Sequence, residues 1–211
     1  IEKSNLELTV CDVLLGESEA QDVILRVETG NFDLLPGNED ATLAEVKLLQ
    51  EIGREMRLKQ AINSIKGKYD FILIDCPPSI NMLTVNALTA ADGVLIPMQC
   101  EYYALEGLTS LINTIDQINK TVNSKLEIYG LLRTMVDHRI NLSNEVSQQL
   151  IDYFGDKVFR TVVPRNVTLA EAPSFGRPVL FHDKKSRGAL AYLALAGEML
   201  RREDEAAQSS A

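Results

Sequence analysis

The segment Phe71-Ile-Leu-Ile-Asp75-Cys76-Pro77-Pro78-Ser79 constrains the fold of this chain more than any other. Four apolar residues run into a single aspartate, and two prolines then end the run. An apolar stretch bounded by breakers predicts a strand over Tyr69 to Asp75, buried on both faces in a parallel sheet. The aspartate then stands at the carboxyl end of that strand, where open α/β folds place their ligands. A carboxylate there either caps a turn or holds a hydrated Mg²⁺ beside nucleotide phosphates. Pro77 and Pro78 fix the backbone that leaves the strand.

The rest of the chain alternates in the same manner. Phe32-Asp-Leu-Leu is a short strand stopped by Pro36-Gly37, and Leu43, Val46, Leu49, Ile52, Met56 and Ile62 recur at helical spacing from Ala41 to Ile65. A helix over Met82 to Ala90 and a buried strand from Gly93 to Pro97 follow. Leu105, Leu108, Ile112, Ile115 and Ile118 mark the apolar stripe of the next helix. Leu126 to Leu132 and Val158 to Val163 read as strands, with a helix through Phe154 between them, capped by Asn141 or Ser143. The closing helix spans Ser186 to Arg202 with Ala189, Leu193, Ala196 and Leu200 facing inward, and Glu203 to Ala211 reads as a frayed tail. This pattern predicts one α/β domain over residues 1–211, a doubly wound and mostly parallel sheet.

With 211 residues, 45% of them hydrophobic and 24% charged, the chain can bury one sizeable core. Nothing in it reaches the length of a transmembrane segment. Cys11, Cys76 and Cys100 lack the CxxC spacing of a zinc site and are odd in number for a disulfide framework. The net charge of −9 is unevenly spread. Residues 1–132 carry 10 basic against 20 acidic side chains, whereas residues 133–187 carry 9 against 6. The basic residues of that second segment include Arg133, Arg139, Arg165, Lys184, Lys185 and Arg187. Such asymmetry permits a phosphate-binding face on an acidic protein, although by itself it reads first as ordinary solvated surface charge.

Asp75-Cys-Pro-Pro-Ser79, Thr84-Val-Asn-Ala-Leu-Thr-Ala-Ala-Asp92 and Ile96-Pro97-Met-Gln99-Cys-Glu101 through Glu106-Gly107 resemble the ParA/Soj-type chromosome- or plasmid-partitioning ATPases, of the deviant P-loop class. Thr134-Met-Val-Asp137-His-Arg139, Val163-Pro164-Arg165-Asn166-Val167, Glu171-Ala-Pro-Ser174 and Ser186-Arg187-Gly188-Ala189 extend the resemblance in family order, from about Tyr69 to Leu200. The resemblance implies that the protein binds ATP and Mg²⁺, dimerises around the nucleotide, coats DNA non-specifically and is stimulated by a ParB-type centromere-binding partner. It implies a cytoplasmic, nucleoid-associated protein. Asp75 would be the catalytic carboxylate holding Mg²⁺ through water. Thr134, Pro164, Arg165 and Asn166 would frame the adenine, with Gln99, Glu101 and Glu106 as dimer and switch residues. Arg139 would contact DNA, helped by Lys184, Lys185 and Arg187. A second DNA-contacting arginine of the family is replaced here by Thr168.

One family feature is missing. No Gly-rich loop carrying a Lys-Ser/Thr pair occurs in these 211 residues. The chain opens at Ile1-Glu-Lys-Ser-Asn, which resembles the family just after its second strand. The expectation is an amino-terminal truncation of roughly 50 residues, the length of two strands and a helix. Phosphoryl transfer relies on amide donors and a lysine around the phosphates, so this chain is expected to be inactive alone. The alternative is a non-catalytic interaction module that has lost its nucleotide site. MinD-type relatives end in a basic amphipathic membrane helix, whereas Arg-Arg-Glu-Asp-Glu-Ala-Ala-Gln-Ser-Ser-Ala is acidic and has no apolar face, so no membrane partner is expected.

Overall fold

Short helices open the chain because their ends are capped locally. In the computed structural model, which describes residues 6–38, 41–77 and 79–209 (the side chains of Tyr102 and Ser209 excepted), helix α1 spans Val10–Leu15. Thr9 caps it, accepting from the Cys11 amide at 3.2 Å, while Asp12 accepts from the Thr9 amide at 2.7 Å. Helix α2 (Ala20–Val23) leads into a hairpin of β1 (Leu25–Val27) and β2 (Phe32–Leu34), with Asn31 in the left-handed region at the turn. The predicted strand at Phe32 is therefore present, paired with a strand that the sequence pattern left unread. Asp33 accepts from Arg26 at 2.9 Å and from the Tyr69 hydroxyl at 2.8 Å. These two bonds hold its carboxyl below the ordinary range.

The single helix expected from Ala41 to Ile65 is two helices, α3 (Ala41–Leu48) and α4 (Arg57–Asn63), joined through a 3₁₀ turn at Arg54–Met56. Gly53 causes the break, since its φ of 66° is incompatible with a continuing helix. The packed face changes accordingly. Ala44, Leu48 and Leu58 are buried, whereas Leu43, Val46, Leu49 and Ile52 are exposed. Helix α5 (Met82–Ala90) lies where the sequence put it and is held at three points. Asn81 caps its start, accepting from the Thr84 amide at 3.0 Å, and Glu45 receives Asn81 Nδ2 at 3.3 Å and the Met82 amide at 3.4 Å. Asn86, fully buried, accepts from the Leu58 amide at 3.1 Å and donates to the carbonyls of Arg54 and Met82. Asn123 donates to the carbonyls of Leu88 and Ala91 at 2.9 and 2.7 Å and closes the other end.

The expected buried strand from Tyr69 to Asp75 is not in a ladder. Residues 70–77 carry no strand pairing among the described residues, and Phe71, Ile72 and Leu73 are exposed, Leu73 at 81%. Ile74 packs against Leu14, Leu48, Leu58 and their neighbours, and Tyr69 packs against Val13, Ala20, Val23 and Ile65. The correction has a plain cause: an apolar run becomes a strand only where another backbone lies beside it to take its N–H and C=O groups.

Strand β3 (Gly93–Gln99), helix α6 (Tyr102–Thr121), strand β4 (Glu127–Val136), helix α7 (Asn141–Phe154) and strand β5 (Val158–Pro164) follow in the order expected. The strands form a three-stranded parallel sheet of order β3–β4–β5, which confirms the α/β class. Neither Asn141 nor Ser143 caps α7: Ile140 stands at the cap position without a side-chain bond, and Ser143 is buried within the helix. After α8 (Val167–Glu171) and α9 (Val179–His182), helix α10 runs over Arg187–Ser209, so the end expected to fray at Glu203 stays helical. The opening Ile1 to Asn5, Pro78 and the last two residues lie outside the described residues. The chain divides into two compact units, Ile1–Gly93 with Thr114–Glu127, and Val94–Asn113 with Ile128–Ala211.

The face that α10 buries is also a correction. Ala189 faces inward as expected, but Leu193, Ala196 and Leu200 are exposed, and Leu195 and Glu198 are buried instead. Glu198 explains the choice. Its carboxylate accepts from the backbone amides of Arg160 and Thr161, both at 2.8 Å, and from the Thr161 hydroxyl at 2.7 Å. Arg202, one turn on, sits 4.0 Å over the Phe159 ring and donates to the carbonyls of Tyr129 and Val158 at 3.3 Å. Strand β5 is an edge strand, and α10 supplies the partners its outer backbone groups need.

Burial raises the pKa of Glu198, but the hydrogen bonds from Thr161 and Arg160 and the charge of Arg202 more than reverse this, leaving it below the ordinary value of 4.5. A depressed carboxylate contributes stability that is present above the unfolded-state pKa and lost as pH falls through the folded one. Glu198→Ala should lower stability by about 2 kcal/mol at pH 7, because it leaves two part-buried amides without their acceptor. Chemical denaturation as a function of pH checks this. The gap between the two proteins should narrow below about pH 4.

Candidate functional site at the carboxyl edge of the sheet

The carboxyl ends of β3, β4 and β5 gather most of the residues that the sequence singles out. Thr134, half-buried near the end of β4, donates its hydroxyl to the Met98 carbonyl of β3 at 3.2 Å. Val136 of β4 pairs in register with Pro164 of β5, and the Arg165 amide donates to the Val136 carbonyl at 3.1 Å. Asn166 follows as the cap of α8, accepting from the Leu169 amide at 3.2 Å. Thr134, Pro164, Arg165 and Asn166 are thereby brought onto one edge. The hydroxyl of Thr134 and the side-chain carbonyl of Asn166 are already committed, which leaves the Arg165 guanidinium exposed beside them.

Met135, between these contacts, carries the geometric signature of the site. It is a non-glycine residue with a φ of 52°, at an irregularity where the β4–β5 register shifts between Arg133 and Val136. A left-handed conformation in an L-residue with an unbranched apolar side chain costs about 1 kcal/mol and persists where the surroundings over-determine it. The kink turns the chain out of the sheet toward Asp137. There the Arg139 guanidinium forks onto the carboxylate, with Nε to Oδ1 at 2.9 Å and Nη2 to Oδ2 at 2.6 Å, and the Arg139 amide adds a third bond at 3.1 Å. This fork, then the amide bond, drives the Asp137 carboxyl well below the usual carboxylate range, with Arg165 contributing its charge. Arg139 is exposed yet not an unpaired cation.

Gln99 and Glu101 line an open cleft of about 360 Å³ between the end of β3 and the first turns of α6, together with Pro97, Met98, Ala104 and Gly107. Glu106 is exposed on α6 and does not line it. Asp75 is exposed at the end of the extended segment, next to Cys76, whose thiol is pushed up by partial desolvation and then by the Asp75 charge. Among the described residues no group of three potential ligands converges on a metal position. A lone carboxylate at the end of an extended segment still fits Mg²⁺, an ion that keeps several waters and takes only one or two protein carboxylates beside phosphates. Lys184, Lys185 and Arg187 are all exposed, in the loop before α10 and at its first residue. Asp183 and Ser186 fold that loop: Asp183 accepts from the Lys185 amide at 3.0 Å, and Ser186 caps α10 through the Ala189 amide at 3.2 Å. Arg133, counted with the basic excess, is occupied internally by Ser147 and the carbonyls of Phe159 and Arg160.

Sequence reasoning missed Asp137 as the partner of Arg139 and Met135 as the strained residue. The first was available from the i,i+2 spacing of opposite charges in a turn. The second left no trace in the sequence, since methionine carries no preference for positive φ. Met135→Gly removes the strain and should raise stability by about 0.5 kcal/mol, measured by thermal denaturation. A loss of stability would mean that the Met135 side chain, not its backbone, decides the position.

A family model described as an AAA domain (AAA_31) matches residues 1–128. The sporulation initiation inhibitor protein Soj of Bacillus subtilis is 49% identical over 94% of this chain and 79% of its own length. The chromosome partitioning protein ParA of Caulobacter vibrioides is 46% identical over 96% of this chain and 77% of its own. Among solved structures, cobyrinic acid a,c-diamide synthase from Mycobacterium smegmatis, with bound ATP analog and magnesium, superposes with a TM-score of 0.81 at 34% identity, over 96% of this chain and 75% of that one. No helix among the described residues is long and apolar enough to cross a membrane. The ordered motifs, the parallel sheet and the near-complete alignment with Soj and ParA agree: this chain belongs to the ParA/Soj family of chromosome-partitioning ATPases.

Proposed function

We propose that this chain supplies the switch and DNA-facing part of a partitioning ATPase, one that binds Mg-ATP, dimerises around it, holds DNA non-specifically and is stimulated by a ParB-type partner. The observation that carries this reading is the meeting of Thr134, Asp137, Arg139, Pro164, Arg165 and Asn166 at adjacent strand ends of a parallel sheet, the edge where α/β folds bind ligands. The ATP analog and magnesium of the solved neighbour support the nucleotide, and the name of ParA supports the partitioning role. Mg²⁺, when bound with ATP, neutralises charge on the transferring phosphoryl group. Asp75 would orient its water shell, and Pro164 and Arg165 would close over the base. Gln99 and Glu101, in their cleft, would report nucleotide state to the facing subunit.

No Gly-Lys-Ser/Thr loop is present in the 211 residues, so the phosphates would have few amide donors here. Titration with a fluorescent ATP analogue in Mg²⁺ should give a Kd above about 100 μM for this chain, a binding energy of no more than roughly 5.5 kcal/mol. Micromolar binding that disappears in Asp75→Ala would show that the donors lie within the chain and overturn this account of the phosphates.

Binding to duplex DNA tests the second half of the reading. Arg139→Ala should weaken binding equally across sequences and lower the salt slope by about one, as loss of one phosphate contact does. Asp137→Asn removes the carboxylate that the guanidinium now grips, and should strengthen binding. If neither variant changes the salt slope, Arg139 is a structural fork and the DNA face lies elsewhere.

A further inference from the structure

Helix α5 begins shortly after Asp75, and one side chain of its first turn is tied back to the segment between them. Thr84 is 6% exposed, and its hydroxyl donates to the Ser79 carbonyl at 2.7 Å. That is not the bond a helical threonine ordinarily makes. Thr109 and Thr121 of α6 donate to the carbonyls of Leu105 and Gln117, four residues back in their own helix. In a capping box the third helical residue would turn instead to the amide of the cap residue. Thr84 does neither. It reaches past Asn81, the cap, to an exposed residue of the preceding loop.

Thr84 is itself held in place. Its amide donates to Asn81 Oδ1 at 3.0 Å, and Glu45 of α3 accepts from Asn81 Nδ2 and the Met82 amide. The start of α5 is thus fixed from α3, and the Thr84 hydroxyl passes that position on to Ser79. Between Ser79 and Asp75 the sequence is Cys-Pro-Pro, a link that proline makes stiff. On the amino side of Asp75, Ile74 packs into the core around Leu14, Leu48 and Leu58. Asp75 is exposed, so its placement comes through the backbone from these two anchors. We propose that Thr84 is a positioning residue for the Mg²⁺ carboxylate: through the Ser79 carbonyl, its hydroxyl holds Asp75 where it meets the water shell of Mg-ATP. This role rests on the reading of Asp75 given above, and it gives Thr84 no contact with nucleotide or ion.

A buried threonine also fills volume, and simple substitutions separate the two roles. Thr84→Val keeps the volume and loses the hydroxyl. Thr84→Ser keeps the hydroxyl and loses a buried methyl group, which costs stability. Thr84→Ala loses both. A threonine that only fills space makes serine a worse replacement than valine. A positioning threonine reverses that order for metal binding, whatever the order for stability.

The test is paramagnetic broadening of backbone amide signals in the 211-residue chain, titrated with Mn²⁺–ATP, alongside thermal denaturation of each variant. Mn²⁺ takes the same oxygen ligands as Mg²⁺ and reports its position through the amides it broadens. The Asp75 and Cys76 amides should broaden in the parent and not in Asp75→Asn. Thr84→Val and Thr84→Ala should each need about tenfold more Mn²⁺–ATP for the same broadening, and Thr84→Ser no more than about twofold. Equal midpoints in the parent and in either hydroxyl-less variant would overturn the proposal. So would a serine variant as impaired as the alanine one. Broadening that persists in Asp75→Asn, or its absence from the parent at about 10 mM Mn²⁺–ATP, would remove the Mg²⁺ reading of Asp75 itself and this role with it.

Discussion

The carboxylate of Glu198 decides how the carboxyl-terminal half of the molecule is put together. The outer backbone groups of β5 would face solvent or α10 without partners, and an unpaired buried amide costs about as much as a lost hydrogen bond. Two amides and a hydroxyl converge on one charged side chain, and Arg202 takes carbonyls from both β4 and β5 while covering Phe159. The helix is thereby fixed in rotation as well as in position. Its packed face carries Glu198 and Arg202, and Leu190, Leu193 and Leu200 are left outside.

That rotation bears on the strand ends. With β5 held from outside and β4 tied to β3 by the Thr134–Met98 bond, the chain has little freedom where the three strands finish. Met135 takes a left-handed conformation where the β4–β5 register shifts, and the turn beyond it presents the Asp137–Arg139 fork. Strain stored at a strand end beside a paired charge is the arrangement expected of a loop that changes with its ligand. The fork would compete with the proposed DNA contact, because Arg139 would have to trade the Asp137 carboxylate for a phosphate.

In the other unit, three asparagines and a glutamate do comparable work for α5. Asn81 and Glu45 fix its start, Asn86 its middle and Asn123 its end, so the segment that follows Asp75 enters the helix in one geometry. Asn86 and Asn123 are buried polar residues, Asn86 bonding through both its oxygen and its nitrogen and Asn123 donating twice, and these bonds make them specific rather than costly. Asn86 lies within a motif that carries the family resemblance, where its structural role is invisible.

Local pattern was enough for the order of the strands and longer helices from Met82 onward, for the α/β class and for the family, but not for the short helices α8 and α9. Apolar periodicity and proline punctuation are properties of short windows, and ordered motifs survive without knowledge of their contacts. Asp75, Thr134, Arg139 and Pro164 to Asn166 were legible as candidates for the same reason. Everything else waited on partners distant in the chain. The run from Phe71 to Ile74 reads as a buried strand, yet it needs a neighbour's backbone to become one. The inward face of α10 depended on a charged residue finding β5, which hydrophobic spacing counts as a mistake. The break at Gly53, the strain at Met135 and the occupancy of Arg133 and Arg139 follow from backbone angles and ion pairs. Periodicity records which residues avoid water, and it is silent on which hydrogen bonds the fold must satisfy.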